Sequence, residues 1–199
     1  MRSALWLVAA LALSSLLAQT TTGSRVRQAE ERDKLPHCTP DAVRDATYEE
    51  ARMQAGLLGM KGPGVELTMD DSDRPRPPDT DPYFHIVHDV DLQANVNELW
   101  AVGAEAIAIN DQRVVSRTAI RCTGPTILVN GVRLSPPYII RAIGPADEMA
   151  AGLGIPGGFL DSMLPLVSNG GTVTIAKRKA LDVPAYTGRQ TYHYARPVP

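Results

Sequence analysis

Neither sign of charge dominates this chain: 20 Lys and Arg stand against 22 Asp and Glu, and the basic residues are scattered instead of gathered into a stripe with aromatics. A polyanionic backbone would find no continuous field to hold it, so nucleic acid is excluded as an expected partner. Aromatic side chains are sparse, with two Trp, six Tyr and two Phe in 199 residues. Two cysteines, Cys38 and Cys122, are too few for a disulfide-framed fold, and whether they pair stays open because sequence does not fix their geometry. Also missing are a nucleophile elbow, a glycine-rich phosphate loop and a Cys-His pair at catalytic spacing. No enzymatic activity and no cofactor are expected.

Glycine and proline, by contrast, number 16 each, which calls for many turns between short elements and argues against a long helical bundle. One long apolar run is present, residues 4–18, interrupted only by Ser14 and Ser15. Such a run inserts in a membrane or is removed as a signal peptide. It is shorter than the ~20 residues that span a bilayer, but the uncharged residues 19–23 complete the span. Either alternative exports the rest of the chain. The preferred expectation is a signal-anchor, giving a single-pass protein of the cytoplasmic membrane with its C-terminal domain extracytoplasmic. The expected divisions are 1–23 for the transmembrane segment, 24–61 for a tether and stalk helix, 62–185 for the domain and 186–199 for a tail.

Thr39-Pro40-Asp41 has the form of a helix start, with Thr as N-cap and Pro at the first helical position, and the helix is expected to run to residue 58 before Gly59. Alternation in Val65-Glu66-Leu67-Thr68-Met69 marks a half-buried strand. Asp89 or Asp91 caps a second helix that places Leu92, Val96, Leu99 and Trp100 on one side and stops at Gly103. Strands are expected over 104–109, 126–129, 138–143 and 172–176, with extended chain over 118–122 and a hairpin at Asn130-Gly131. Short helices fill 146–153 and 159–167. The order predicts an α/β fold of the α+β kind, a ferredoxin-like β-α-β-β-α-β plait with one extra extended segment, preceded by the transmembrane helix and a short helical stalk.

Polar residues inside these well-patterned elements form the candidate site: Asn97, Glu105, Asn110, Arg113 and Arg117. If they converge, they make a basic, amide-rich pocket for a carboxylate, phosphate or sugar; the plainer reading is internal ion pairs and loop ties. His85, His88 and the neighbouring Asp70, Asp71, Asp73, Asp79, Asp81 and Asp89 have a metal-like composition, but the acids sit in a solvated loop, and no metal is expected.

The motifs Gly62-Pro63-Gly64-Val65, Asp70-Asp71, Asp91-Leu92, Val96-Asn97-Glu98-Leu99-Trp100, Gly103-Ala104-Glu105-Ala106-Ile107, Ile109-Asn110, Arg113, Thr118-Ala119-Ile120, Gly124-Pro125, Val129-Asn130-Gly131, Pro137-Tyr138 and Ala142-Ile143-Gly144 occur in this order. Across roughly residues 55–185 the chain thereby resembles the bacterial domain of unknown function 881. The resemblance implies a membrane anchor, a helical or coiled stalk, an extracytoplasmic α/β plait and a part in division initiation. The stalk departs from that pattern, being short and broken by Pro36 and Pro40, which leaves a homodimer open. The resulting expectation is a non-enzymatic, membrane-anchored envelope protein that acts as a scaffold or interaction module in cell growth and division and contacts envelope or division proteins. The alternative is a binding module for a cell-wall fragment or small anionic ligand; a metal-dependent hydrolase ranks below both.

Overall fold

A computed structural model describes residues 40–189 and 191–198. The chain divides into two compact units, Met1–Glu50 and Ala51–Pro199, and both sheets lie in the second. Helix α1 spans Pro40–Gln54. It stops at Gln54 and does not reach residue 58, because Gly56 adopts a left-handed φ of 74° and turns the chain back. There the amides of Gly56 and Leu57 donate to the carbonyls of Met53 and Arg52, both at 2.9 Å. The Thr39 cap expected for its start lies outside the described residues.

The larger sheet is built around β1 (Met60–Asp70), which pairs antiparallel with β7 (Tyr138–Ile143) on one side and β8 (Thr172–Val183) on the other. Beyond β7 come β2 (Ala106–Ile109) and β3 (Gln112–Arg113), giving the order β3-β2-β7-β1-β8. Val65, Leu67 and Met69 point to one face and are fully buried. With Ile140 and Ala142 of β7 they form the floor of the main core. Packed in that core are Leu92, Val96 and Leu99 of α2 (Asp89–Ala101) and Met149 and Leu153 of α3 (Ala146–Leu153). Phe159 of α4 (Phe159–Ser162) and Leu166 of α5 (Leu164–Ser168) close one end.

β8 is much longer than the expected 172–176. Its second half carries Lys177, Arg178, Lys179 and Asp182, a composition poor for a strand, yet the pairing with β1 continues until Val183 stands opposite Met60. Cross-strand contacts hold it: Arg178 donates to the Glu66 carboxylate at 2.8 Å, and Leu181 and Val183 join Ala106, Ala108 and Ile143 in a second small core.

Two expectations require correction. The segment read as one extra extended piece of a single β-α-β-β-α-β plait is a separate antiparallel sheet of three strands: β4 (Ile120–Thr123), β5 (Thr126–Val129) and β6 (Val132–Leu134). Tight turns cause this. Gly124 and the Asn130-Gly131 pair take positive φ values of 61°, 54° and 81°, folding three short strands on one another while Ile127 and Val129 enter the main core. The molecule is therefore a mixed α/β protein with two antiparallel sheets. The expected single-pass membrane helix, the signal-anchor, is corrected as well. Among the described residues no helix is long and apolar enough to cross a membrane. Even α1, at 15 residues, has a length of only about 22 Å against a hydrocarbon core of about 30 Å, and it is charged throughout. The apolar run 4–18 lies outside the described residues.

Candidate functional site

One face of α2 and the chain after β3 enclose a hollow of about 500 Å³ whose lining includes Gln93, Asn97, Trp100, Val115 and Thr118. The wall after β3 has no regular structure, so its shape depends on individual hydrogen bonds. The Val115 amide donates to Thr118 Oγ1 at 2.8 Å, Gln93 Nε2 to the Ile120 carbonyl at 2.9 Å, and Asn130 Nδ2 to the Arg113 carbonyl at 2.9 Å. A second hollow, about 290 Å³, adjoins the first. It shares Trp100, Val114, Val115 and Ser116 and adds Met53, Gly56, Glu105 and Arg113. Trp100 stands at the junction, 40% exposed. The expectation placed it on the core side of α2. At about 100° per residue it instead shares a stripe with Gln93 and Asn97, well away from the stripe of Leu92 and Leu99. That angular argument was available in the sequence.

The five candidate residues do not meet in one pocket. Asn97 is exposed in the first hollow; Glu105 and Arg113 line the second. Arg113 is 4% exposed, and its Nη1 donates to the carbonyls of Leu58 at 2.9 Å and Pro184 at 3.2 Å. Burial draws its guanidinium below the ordinary arginine range. It ties the start of β1 to the end of β8. Arg117 donates to the Thr191 carbonyl at 3.2 Å and lies 5.2 Å from the centre of the Tyr192 ring, so the C-terminal segment engages it. Asn110 sits in the turn between β2 and β3 at φ 50°, where its Oδ1 accepts the Ile139 amide at 2.8 Å. The basic groups are thus occupied by the protein's own backbone, which weakens the reading of an anion pocket.

The residues of metal-like composition have other tasks. Among the described residues no three His, Cys, Asp or Glu side chains are placed to hold a metal ion. His88 stacks on Tyr83 with ring centres 3.9 Å apart, and its amide donates to Asp91 at 2.8 Å, so Asp91 supports the helix start as expected for one of the two acids. Asp89 does something else: it accepts the Cys122 amide at 2.7 Å while its own amide donates to Cys122 Sγ at 3.3 Å. Burial opposes ionisation of Asp89, but the hydrogen bonds from Cys122 and Val90 outweigh it and hold the carboxyl below its usual range. Burial raises the carboxyls of Asp71 and Asp91. Burial, followed by opposing effects of Asp89, also raises the Cys122 thiol, which is free. Cys38 lies outside the described residues. Burial together with the charges of Asp71 and Cys122 pushes Tyr138 up to about 12.

Sequence reasoning passed over Asn95 as a polar residue of note, and it is fully buried on α2 with neither amide atom hydrogen-bonded. Its position between Leu92 and Leu99, three and four residues away, was the available signal.

Comparison with known proteins agrees with the resemblance read from the motifs. The family model described as bacterial protein of unknown function (DUF881) matches residues 47–196. The UPF0749 protein YlxW of Bacillus subtilis is 37% identical over 115 residues, covering 58% of this chain and 49% of that protein. The UPF0749 protein Rv1825 of Mycobacterium tuberculosis is 36% identical over 147 residues, 72% of this chain and 46% of its own length. The chain spans about half the length of these curated relatives. A crystal structure of an uncharacterized conserved protein from Mycobacterium tuberculosis superposes with a TM-score of 0.60 at 33% identity, covering 76% of this chain and 99% of that one. The chain belongs to the DUF881 family of bacterial proteins.

Proposed function

We propose that this domain is a non-enzymatic interaction module acting in bacterial cell growth and division, and that it engages a protein partner through the double hollow around Trp100. The observation that carries this reading is Trp100 itself, a large aromatic left 40% exposed at the meeting of two concave surfaces. Exposed aromatics in such settings act as anchors of protein contacts, gaining more from desolvation than any other side chain. The polar lining of Gln93, Asn97, Ser116 and Thr118 offers hydrogen bonds at the rim without a fixed charge. The process is the one implied by the resemblance to the family.

A fluorescently tagged copy tests the proposal. The wild-type chain is expected to concentrate at the septum or poles, Trp100→Ala to spread evenly, and depletion to alter cell shape. Uniform distribution of the wild type together with unchanged shape on depletion would refute it.

A further inference from the structure

We infer that two copies of this chain join through the outer edge of β8, pairing residues 172–176 antiparallel about a twofold axis at Thr174 and merging their five-stranded sheets into one. β8 is the last strand of its sheet, and among the described residues neither a strand nor a backbone hydrogen bond occupies its outer edge. A row of unpaired N–H and C=O groups is a template for another strand, and proteins blunt such edges with charges, bulges or proline. Here the guard covers only half of the strand. Lys177, Arg178 and Lys179 are exposed, and the pairing with β1 is irregular between Arg178 and Leu181. The other half, Thr172-Val173-Thr174-Ile175-Ala176, carries no charge and no proline, is β-branched at all but its last residue, and runs in unbroken register against residues 66–70 of β1.

This half is complementary to itself. About an axis at Thr174, Thr172 faces the partner's Ala176, Val173 faces the partner's Ile175, and the two Thr174 side chains face each other, all favourable cross-strand pairs. Val173 and Ile175 lie at the margin of the main core and stay partly exposed, so each copy would cover that margin of the other with apolar surface. A parallel arrangement, or an axis farther along β8, sets the basic triplet against its own copy and is disfavoured. The axis at Thr174 instead carries the partner's Lys177, Arg178 and Lys179 past Thr172, beside the Asn169-Gly170-Gly171 turn. Acidic groups stand at that turn. Asp70 is paired with Thr172, Ser72 Oγ donates to the Asn169 carbonyl at 2.6 Å, and the Arg74 side chain lies against Gly170, so the loop carrying Asp70, Asp71 and Asp73 flanks the end of the edge. Arg74 is the one cation there. Neither Asp70 nor Asp73 has an ion pair among the described residues. Lys177 and Arg178 are bound to Asp147 and Glu66 only by surface pairs, which hold them weakly.

Disulfide trapping in the full chain tests both the contact and its register. Opposite residues of an antiparallel pair stand about 4.5–5.5 Å apart at Cα, within disulfide reach, so mild oxidation of Thr174→Cys is expected to link residue 174 of one copy to residue 174 of the other. Thr172→Cys alone and Ala176→Cys alone should form no such self-link, because each is displaced from its own copy by roughly 13 Å along the strand. Mixing those two chains should give the link between 172 and 176. Mass spectrometry of the linked peptides keeps these products apart from any formed by Cys38 or Cys122. Thr174→Lys, at an exposed position, brings two cations together on the axis and should cut the 172–176 link roughly tenfold or more while leaving the circular dichroism spectrum unchanged. No link at 174, self-links at 172 or 176 as abundant as the 172–176 link, or a 172–176 link undiminished by Thr174→Lys overturns the assignment. An edge reserved for a strand of a different protein gives the first of these results.

Discussion

Asp89 carries the most instructive prediction, because one carboxylate fastens the start of α2 to the second sheet. Its Oδ2 accepts the Cys122 amide at 2.7 Å, its Oδ1 accepts the Val90 amide at 3.0 Å, and its own amide returns a bond to Cys122 Sγ. Asp89→Ala removes the acceptor and leaves the half-buried Cys122 amide unpaired. A hydrogen bond to a charged acceptor contributes about 1.5–3 kcal/mol, and partial exposure places Asp89 toward the lower end, near ~2 kcal/mol. For a domain of this size that corresponds to a fall in Tm of roughly 4–8 °C. Asp89→Asn keeps an acceptor without the charge and should lose about half as much. The pH dependence gives a second check. The folded state holds the Asp89 carboxyl below its ordinary value, so its contribution is fully present above the unfolded pKa and disappears as pH falls through the folded one. Urea unfolding of wild type and Asp89→Ala at neutral and acid pH reads both effects. Equal midpoints at neutral pH, or a gap that widens toward acid, would refute the reasoning.

Two further substitutions probe the frame that positions the hollows. A Cβ on Gly64 would collide with the Ala142 carbonyl oxygen of β7, which is backbone and cannot move aside; Gly64→Ala is expected to cost about 3 kcal/mol or more, or to prevent soluble expression, and a urea midpoint near wild type would contradict the register of β1. Asn110→Ala loses both the tolerance for φ 50° and the bond to the Ile139 amide, an expected loss of about 1–3 kcal/mol, whereas Asn110→Gly, which relieves only the backbone, should fall between wild type and Ala in thermal melts.

Much of the frame was legible because local chemistry is sufficient for it. The strand over Tyr138–Ile143 and the helix over Ala146–Leu153 occupy the expected residues, and Asn130-Gly131 turns as its φ preferences require. The site was harder to read. Asn97, Glu105 and Arg113 do line the two hollows, but Arg113 and Arg117 are held by the carbonyls of Leu58, Pro184 and Thr191, partners more than fifty residues away in the chain. A side chain's chemistry tells what it can bind; it does not tell whether a distant carbonyl has already taken it.

By itself, then, the sequence determined which faces are buried and where the chain turns: period-two alternation in Val65, Leu67 and Met69, and positive-φ residues at Gly56, Gly103, Asn130 and Gly131, act within a few residues. Its balanced charge and sparse aromatics are also fixed before folding. Tertiary structure alone decided that the charged second half of β8 is strand and that Glu98 keeps a buried oxygen without a partner. In each of these the deciding group is supplied, or withheld, by a segment remote in sequence, and the free energy of a hydrogen bond or a buried surface depends on that partner being there.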